Sequence, residues 1–307
     1  MESHSHPFVS VIIPVYNDAE RLKLCLEALE NQTYPQTGYE VIVVDNASDE
    51  TADIKRVVTQ FGQAIVAYES TPGSYAARNK GISLAKGEVI AFTDADCIPA
   101  SDWIEKGVSN FLQDPNRGLV AGKIEIFFKD PNQITPIELY ESITAFPQKE
   151  LLEKYQYGAA ANIFTSRDVL ERIGLFDERF KSNGDVEWGR RVFSQGYKPI
   201  YADDTRVAHP ARHSFRQLYK RTIRLAGGLY ALQKKSHDKG LKWQVKFMIF
   251  LIKNLIPPIQ FCVNTFLDKR LKTFDCKIKV CLVMFIVRYL SGFEILRLSM
   301  GGVAARE

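Results

Sequence analysis

Short apolar runs alternate with amphipathic segments over the first hundred residues, and this alternation constrains the fold more than any other feature of the chain. The runs with the length and composition of buried strands are residues 9–15, 40–44, 64–69 and 89–93. The segments with helical spacing between them are residues 19–31, from 48 or 49 toward 61, and 75–85. Because continuous apolar strands separated by helices are typical of a sheet covered on both faces, the pattern predicts an α/β fold with a mostly parallel central sheet.

Polar residues follow three of these predicted strands. Tyr16 and Asn17 come after the first strand, Asp45 after the second, and Asp94 and Asp96 after the fourth. Ligands of open α/β sheets bind just outside the carboxyl ends of the strands. The sequence therefore predicts a binding crevice that is rich in carboxylates.

The two carboxylates of Asp94 and Asp96 are one residue apart, and such a pair at a strand end can hold a divalent cation. Mg²⁺ and Mn²⁺ favour oxygen ligands, and Mg²⁺ usually takes one or two carboxylates and completes its shell with phosphate oxygens and water. The alternative is a turn or a helix N-cap. Asp45 likewise has two interpretations, an Asx-turn or an acceptor for the edge of a nucleobase. Arg78 is either an exposed helical arginine or a contact to phosphate or base.

Several nucleotide-binding and catalytic motifs are missing. The chain has no glycine before Gly38, so the G-x-G-x-x-G fingerprint of dinucleotide-binding folds cannot follow the first strand. It also lacks the G-x-x-x-x-G-K-[ST] loop of P-loop enzymes and the G-x-S-x-G elbow of serine hydrolases. These classes are therefore excluded.

The net charge of +4 conceals an uneven distribution. Residues 234–307 hold 14 basic and 5 acidic side chains, a net charge of +9, whereas residues 1–233 sum to −5. A basic, apolar tail on an acidic body indicates a polyanionic partner, either nucleic acid or anionic lipid. The five cysteines form no C-x-x-C pair and no His/Cys cluster, which is typical of reduced thiols in a cytosol.

Eight segments, in order, are similar to motifs of the family 2 glycosyltransferases, which have the GT-A fold. They are VSVIIPVYN (9–17), VVDNASDET (43–51), AARNKG (76–81), FTDADC (92–97), GAAANIF (158–164), IGLFDERF (173–180), NGDVEWGRR (183–191) and VAHP (207–210). The resemblance extends from about residue 8 to 225. It implies a catalytic domain of the GT-A type over residues 1–233. The apolar and basic composition of residues 234–307 separately predicts a helical, membrane-associating region there.

The resemblance also implies a role for each matching residue on the donor side. The nucleoside would contact Pro14, Val15, Tyr16, Asn17 and Asp45. Arg78 would assist there, and Asp94 would lie near the ribose and the diphosphate. Asp96 would bind a divalent metal, Mn²⁺ or Mg²⁺, and His209 matches a position that approaches the metal or the diphosphate.

On the acceptor side, Asp185 matches the carboxylate that acts as general base. The family usually has Glu-Asp where this chain has Gly184 and Asp185, which leaves Glu187 as a second candidate for the base. Sugar selectivity would lie in the loops around Gly158 and Asn162. One base without a nucleophilic second carboxylate is consistent with single displacement and inversion.

The tail contains two apolar stretches that are poor candidates for spanning a bilayer. Lys253 interrupts residues 247–267, and Arg288 interrupts residues 280–299, where a mid-helix arginine costs about 2.5–3.5 kcal/mol on insertion. We expect interfacial or re-entrant helices on the cytoplasmic face of the cell membrane. Two tilted spans, or a helical hairpin packed on the catalytic domain or on the partner in a homodimer, remain as alternatives.

The function implied is that of an inverting glycosyltransferase of the hexosyltransferase type. It would move a sugar from a nucleotide diphosphate sugar, with UDP favoured, to a hydroxyl of a glycan or lipid-linked acceptor in polysaccharide biosynthesis of the cell envelope. The Q-x-x-R-W motif of processive synthases is absent at residues 217–221, which favours addition of one sugar. Nucleic acid is then not expected as a partner.

Two other classes remain as alternatives. One is a sugar nucleotidyltransferase, which would have a glycine-rich basic loop after the first strand, unlike residues 14–21. The other is a non-catalytic protein of the same fold that binds nucleotide sugars.

Overall fold

The computed structural model describes residues 6–235 and 241–304, without the side chains of residues 241–243. The strands are β1 (Val9–Val15), β2 (Tyr39–Asp45), β3 (Ala64–Tyr68), β4 (Val89–Thr93), β5 (Ile98–Pro99), β6 (Leu119–Phe127), β7 (Asn162–Ser166) and β8 (Ile200–Pro210). The helices are α1 (Ala19–Glu30), α2 (Ile54–Val58), α3 (Ser74–Leu84), α4 (Trp103–Leu112), α5 (Pro136–Thr144), α6 (Gln148–Tyr155), α7 (Arg167–Ile173), α8 (Gly184–Ser194), α9 (Phe215–Lys235), α10 (Leu241–Leu255), α11 (Ile259–Leu267) and α12 (Phe274–Ser299).

The eight strands form one sheet in the order β3-β2-β1-β4-β7-β6-β8-β5. Pairing is parallel from β3 through β2 and β1 to β4, as the alternation of strands and helices predicts. Pairing is antiparallel between β4 and β7, between β7 and β6, and between β5 and β8. The predicted α/β class is confirmed. The sheet continues beyond β4 with the strands β7, β6, β8 and β5, and apolar periodicity does not predict their antiparallel pairing.

The parallel strands owe their stability to burial on both faces. All seven residues of β1 are buried, and Val11, Ile12 and Ile13 have no exposed surface. Fully burying such a side chain is worth about 1.5–3 kcal/mol. This burial fixes the register of β1 on β2, in which Val15 pairs with Asp45, and so aligns the two strand ends.

The segment after β2 departs from the prediction. Instead of one helix from residue 48 or 49 toward 61, a short 3-10 turn (Glu50–Ala52) precedes α2. Asp53 lies between them with a φ of 49°, a left-handed conformation that interrupts helical hydrogen bonding. Ser48 and Asp49, the expected N-caps, instead bond to the loop after β1.

The chain packs as two compact units. The first comprises residues 1–125, 146–179 and 184–209, and the second comprises residues 126–145, 180–183 and 210–307. Helix α9 therefore packs in the second unit, although most of it lies before the predicted domain boundary at residue 234. The division into domains 1–233 and 234–307 stays a prediction.

The second unit is built from helices, as the sequence predicts for the tail. Its core consists of Tyr140 from α5, Leu218 from α9, Val280 and Val283 from α12, and Leu271. Among the described residues, no single helix has the length and apolar composition of a membrane span. Gln244–Leu255 and Ile259–Leu267, bent by 45° at a short break, satisfy that test together.

Candidate active site

The loops that follow β1 and β2 are joined by hydrogen bonds at the carboxyl end of the sheet. Asn17 donates from Nδ2 to Asp49 Oδ2 (2.9 Å) and accepts from the Asp49 amide at Oδ1 (2.7 Å). Its own amide donates to Ser48 Oγ (2.9 Å). Asp45 Oδ1 accepts from the Ser48 amide (3.0 Å), three residues further along the loop.

These bonds hold the segment expected to contact the nucleoside. Pro14 and Val15 are buried at the end of β1, Tyr16 is half-buried, and Asn17 is exposed with a φ of 51°. Asp45, the last residue of β2, pairs in register with Val15. The nucleotide-binding role of these residues stays a prediction, but the structure does bring them together at one edge of the sheet.

Arg78 is buried in α3, and the interpretation as an exposed helical arginine is wrong. Its side chain is 4% exposed and donates from Nη2 to Asp94 Oδ1. Its guanidinium carbon lies 5.5 Å from the centre of the Tyr75 ring, a cation–π contact. Its Nε is buried without a hydrogen-bond partner in the structure. A buried guanidinium is costly unless it is paired, so Asp94 stabilises the charge of Arg78.

Asp96 is brought to His209 by β5, a strand that the sequence does not reveal. In the antiparallel pairing of β5 with β8, Ile98 lies opposite Ala208. Asp96 Oδ2 consequently lies 3.5 Å from His209 Nε2 and 3.4 Å from Nη1 of Arg21.

Phe146 contacts His209, and Arg21 contacts Asp96. The His209 ring is buried and lies 4.7 Å from the ring of Phe146. Asp18 accepts from Arg21 Nε (2.9 Å). Burial raises the pKa of Asp18, and the hydrogen bond from Arg21 opposes that shift. Arg21 is thus held between Asp18 and Asp96.

Asp96 and His209 fit a divalent cation in their donor chemistry. They place a carboxylate oxygen and an imidazole nitrogen, both common metal ligands, 3.5 Å apart. No group of three or more His, Cys, Asp or Glu side chains suited to a metal occurs in the described part of the chain. Two protein ligands are enough for an ion whose shell is completed by phosphate oxygens and water.

Asp185 lies at the start of α8 and accepts hydrogen bonds from neutral donors. The Tyr75 hydroxyl donates to Oδ1 (3.0 Å), and the Ala160 amide donates to Oδ2 (3.3 Å). Burial, reinforced by the charge of Asp185, raises the pKa of Tyr75, so its hydroxyl stays a donor at neutral pH. Asp185 and Glu187 are the acidic residues in the first turn of α8.

Gly184 is explained by the same tyrosine. A Cβ at this position would lie 2.7 Å from Cε2 and 2.8 Å from Cδ2 of the Tyr75 ring. The glutamate that the family usually has at this position would therefore collide with Tyr75 in this packing. The departure from Glu-Asp to Gly-Asp reflects the space that Tyr75 occupies.

Glu187, the second candidate for the base, forms an ion pair with Arg191. Both of its oxygens accept from Arg191, at 3.0 Å and 3.1 Å from Nε and 3.0 Å from Nη2. Arg191 also donates to the carbonyls of Ile173 and Leu175, which ties α8 to the segment after α7. The geometry favours Asp185 over Glu187 as the base.

The two residues predicted near the sugar lie in the interior. Asn162 is fully buried, donates from Nδ2 to the carbonyls of Lys123 and Thr205 (both 2.9 Å), and accepts from Trp103 Nε1 at Oδ1 (2.9 Å). Gly158 is buried, and a Cβ there would lie 2.9 Å from that of Ala121. The Asn162 side chain thus joins β7 to β6 and β8 through Nδ2 and to α4 through Oδ1.

Tyr75 is the site residue that the sequence reasoning missed. It touches both Asp185 and Arg78, and Arg78 is paired with Asp94. The spacing of Tyr75 and Arg78, three residues apart on one helix, was the available signal because such residues share a face. Nothing in the sequence indicates the contact to Asp185, which is 110 residues away.

The chain is similar to proteins of one enzyme family. A sequence profile described as Glycosyl transferase family 2 matches residues 10–174. The chain is 42% identical over 227 residues to glycosyltransferase AglE of Haloferax volcanii, covering 72% of this chain and 73% of that protein. It is 28% identical over 242 residues to the pre-mycofactocin glycosyltransferase of Mycobacterium tuberculosis, covering 76% of this chain and 49% of that protein, so it spans about half of that relative's length.

The fold is similar to that of a solved glycosyltransferase. Mannosyltransferase PcManGT from Pyrobaculum calidifontis, solved in complex with GDP-Man and Mn²⁺, matches with a TM-score of 0.58 and 20% identity, covering 98% of this chain and 77% of that one. The fold is thus of the GT-A type. The chain belongs to glycosyl transferase family 2 and is a glycosyltransferase.

Proposed function

We propose that this enzyme is an inverting, metal-dependent glycosyltransferase that moves one sugar from a nucleoside diphosphate sugar to a hydroxyl of a glycan or lipid-linked acceptor. The observation that carries the proposal is the series of contacts from Asp185 through Tyr75 and Arg78 to Asp94. In this series the Tyr75 side chain contacts both the Asp185 carboxylate and the buried Arg78 guanidinium, and Arg78 in turn pairs with Asp94. A base and a donor-binding pair in one site are what a single displacement requires.

The residues of the chain divide the work as follows. Asp185 takes the proton of the acceptor hydroxyl as that oxygen attacks the anomeric carbon of the donor. The bond between that carbon and the diphosphate breaks in the same step, which inverts the configuration. Tyr75 orients the base, and the Arg78–Asp94 pair lies on the donor side. Asp96 and His209 would hold Mn²⁺ or Mg²⁺, which as a Lewis acid stabilises the negative charge of the leaving diphosphate.

The donor is expected to be a UDP-sugar, and the GDP-Man of the Pyrobaculum calidifontis enzyme makes GDP the first comparison. A thermal-shift screen with UDP, GDP and dTDP, each with and without Mn²⁺, tests the donor class. We expect one nucleotide to raise Tm in an Mn²⁺-dependent way. If none of the three stabilises the protein, the assignment of a nucleoside diphosphate donor fails.

Because the proposed acceptor is lipid-linked, we also propose that the second unit binds the cytoplasmic face of the cell membrane. Large apolar side chains are exposed on α10, on α11 and in the short segment that connects these two helices. They include Met248, Ile252, Ile256 and Ile259. Lysines are interspersed with them, and the tail carries a net charge of +9. An apolar surface with basic flanks suits anionic lipid. A homodimer stays a prediction.

Co-sedimentation with phosphatidylglycerol-containing vesicles tests this placement. Ile252→Glu should weaken binding because it puts a carboxylate into the apolar face of α10. Leu24→Glu is the matched control, since Ile252 and Leu24 are each 49% exposed and Leu24 lies on α1 of the first unit. Equal binding of the two variants would contradict the membrane role of α10.

A further inference from the structure

A buried carboxylate in the second unit is surrounded by arginines that the proposed reaction does not use. Glu141 of α5 has a side chain that is 1% exposed. Arg212 donates to it from Nη1 at 3.1 Å and 3.3 Å and from its backbone amide at 3.1 Å. Arg221 of α9 has its Nε 3.7 Å from Glu141 Oε1. The two guanidinium groups and this carboxylate form the arginine cluster.

The charges of the arginine cluster do not balance. Two cations face one carboxylate, and the Tyr140 and Arg224 side chains that also face Arg221 supply no further negative charge. Burial and the charge of Arg212 lower the pKa of Arg221, and Glu141 opposes that shift. Placing a surplus cation in a desolvated position costs free energy that a bound anion would recover.

The cluster is open on its arginine side. The Arg212 and Arg221 side chains are 20% and 16% exposed, whereas Glu141 is closed off. The 3.7 Å separation of Arg221 from Glu141 exceeds hydrogen-bonding distance, so their contact is a charge contact. A planar guanidinium with several N–H donors matches phosphate oxygens in geometry as well as in charge.

We propose that Arg212 and Arg221 bind the phosphate or diphosphate group of a lipid-linked acceptor. This inference rests on the proposed function, and it names the acceptor class: a hydroxyl-bearing group attached to lipid through phosphate. Glu141 holds Arg212 in place, and Arg221 supplies the surplus positive charge. The competing explanation is a purely structural Arg–Glu–Arg triad, which needs all three side chains for stability and binds no anion.

The full-length protein is tested with inorganic pyrophosphate as the probe. Tm is measured in EDTA at constant ionic strength for the wild type, Arg221→Met and Lys220→Met. Lys220 is the matched control because it is the exposed neighbour of Arg221 on α9 and carries the same charge. We expect pyrophosphate to raise Tm of the wild type and of Lys220→Met equally, and to leave Tm of Arg221→Met unchanged.

The unliganded Tm separates the two explanations further. Arg221→Met leaves a balanced Glu141–Arg212 pair, so its Tm without anion should equal or exceed that of the wild type. A lower Tm together with an undiminished pyrophosphate shift would establish the structural triad. Should Arg221→Met fail to fold, Arg221→Lys keeps the charge and loses the planar donors, and it should show a reduced pyrophosphate shift.

Two further measurements show which phosphate the arginines bind, and they test this inference separately from the proposed function. Asp96→Ala should lose the Mn²⁺-dependent nucleotide shift and keep the metal-free pyrophosphate shift, and Arg221→Met should show the reverse. If saturating nucleotide and Mn²⁺ abolish the pyrophosphate shift of the wild type, the arginines bind the donor diphosphate and the acceptor assignment is overturned. If pyrophosphate does not raise Tm of the wild type, the acceptor assignment is also overturned, regardless of the Tm shifts that nucleotides cause.

Discussion

The candidate active site of the first unit and the arginine cluster of the second unit have opposite charge balances. In the first, four carboxylates outnumber two guanidinium groups: those of Asp18, Asp94, Asp96 and Asp185 against those of Arg21 and Arg78. In the second, two arginines share the carboxylate of Glu141. A surplus of carboxylates suits a cation and a proton, whereas a surplus of arginines suits a phosphate. The two regions therefore differ in the sign of the charge that each can stabilise.

The largest effect that tests this contrast is expected at Asp185. Asp185→Asn keeps the hydrogen bond from Tyr75 but cannot accept the acceptor proton, so kcat for sugar transfer should fall by about 10²–10⁴-fold. The matched control is Glu187→Gln, which affects an ion pair with Arg191 and should change kcat far less. Transfer rates with saturating donor decide between them, and a larger loss in Glu187→Gln would assign the base to Glu187.

Asp96→Ala should come next, because it removes the proposed carboxylate ligand of the metal. We expect transfer and donor hydrolysis to fall by about 10³-fold, corresponding to several kcal/mol of lost charge stabilisation in the transition state. Activity is assayed over a range of Mn²⁺ concentrations. Retention of full activity at the same Mn²⁺ requirement would contradict the assignment of Asp96 and His209.

Glu141→Gln tests the opposite balance in the second unit. It leaves two largely buried arginines without their carboxylate, so the free energy of unfolding should fall by about 3 kcal/mol. Denaturant unfolding compares it with Arg221→Met, which should cost little or nothing. If both variants lose the same stability, the surplus charge of the cluster is not a cost, and the contrast between the two regions disappears.

The smallest effect is expected at Tyr75. Tyr75→Phe removes one hydrogen bond to Asp185, worth about 0.5–1.5 kcal/mol, so kcat should fall by up to about tenfold. Because Tyr75 positions the base, KM for the donor should stay unchanged and the ring should still pack on Gly184. Steady-state kinetics with varied donor separate the two parameters, and a rise in KM with constant kcat would make Tyr75 a donor-binding residue instead.

Most of the parallel half of the sheet could be predicted from the sequence. The bounds of β1 and β4 agree with the apolar runs at 9–15 and 89–93, because a strand buried on both faces has a continuous apolar sequence. Strand β5 could not be predicted, because it is two residues long and exists only through its pairing with β8. Its consequence is nevertheless large, since it brings Asp96 to His209.

The candidate site shows the same limit. Residues next to strand ends were found, because the topology of a parallel sheet places them at one edge. The sequence does not decide between the two interpretations of Arg78, because α3 has no clear division into an apolar and a polar face and the burial of Arg78 depends on tertiary packing. Asn162 was expected near the sugar, but its amide is engaged with Trp103 and two carbonyls.

The amino-acid sequence predicts the order of the strands in the parallel half of the sheet, the places where carboxylates follow those strands, and the resemblance to a glycosyltransferase family. These depend on local periodicity and on short motifs. The tertiary structure alone decided which charges meet: Arg78 with Asp94, His209 with Asp96, and Arg221 with Glu141. Arg221 is counted in the acidic part of the sequence, yet it packs in the second unit. This follows because the net charge of a segment is a sum along the chain, whereas the interaction of two charges depends on their distance and burial.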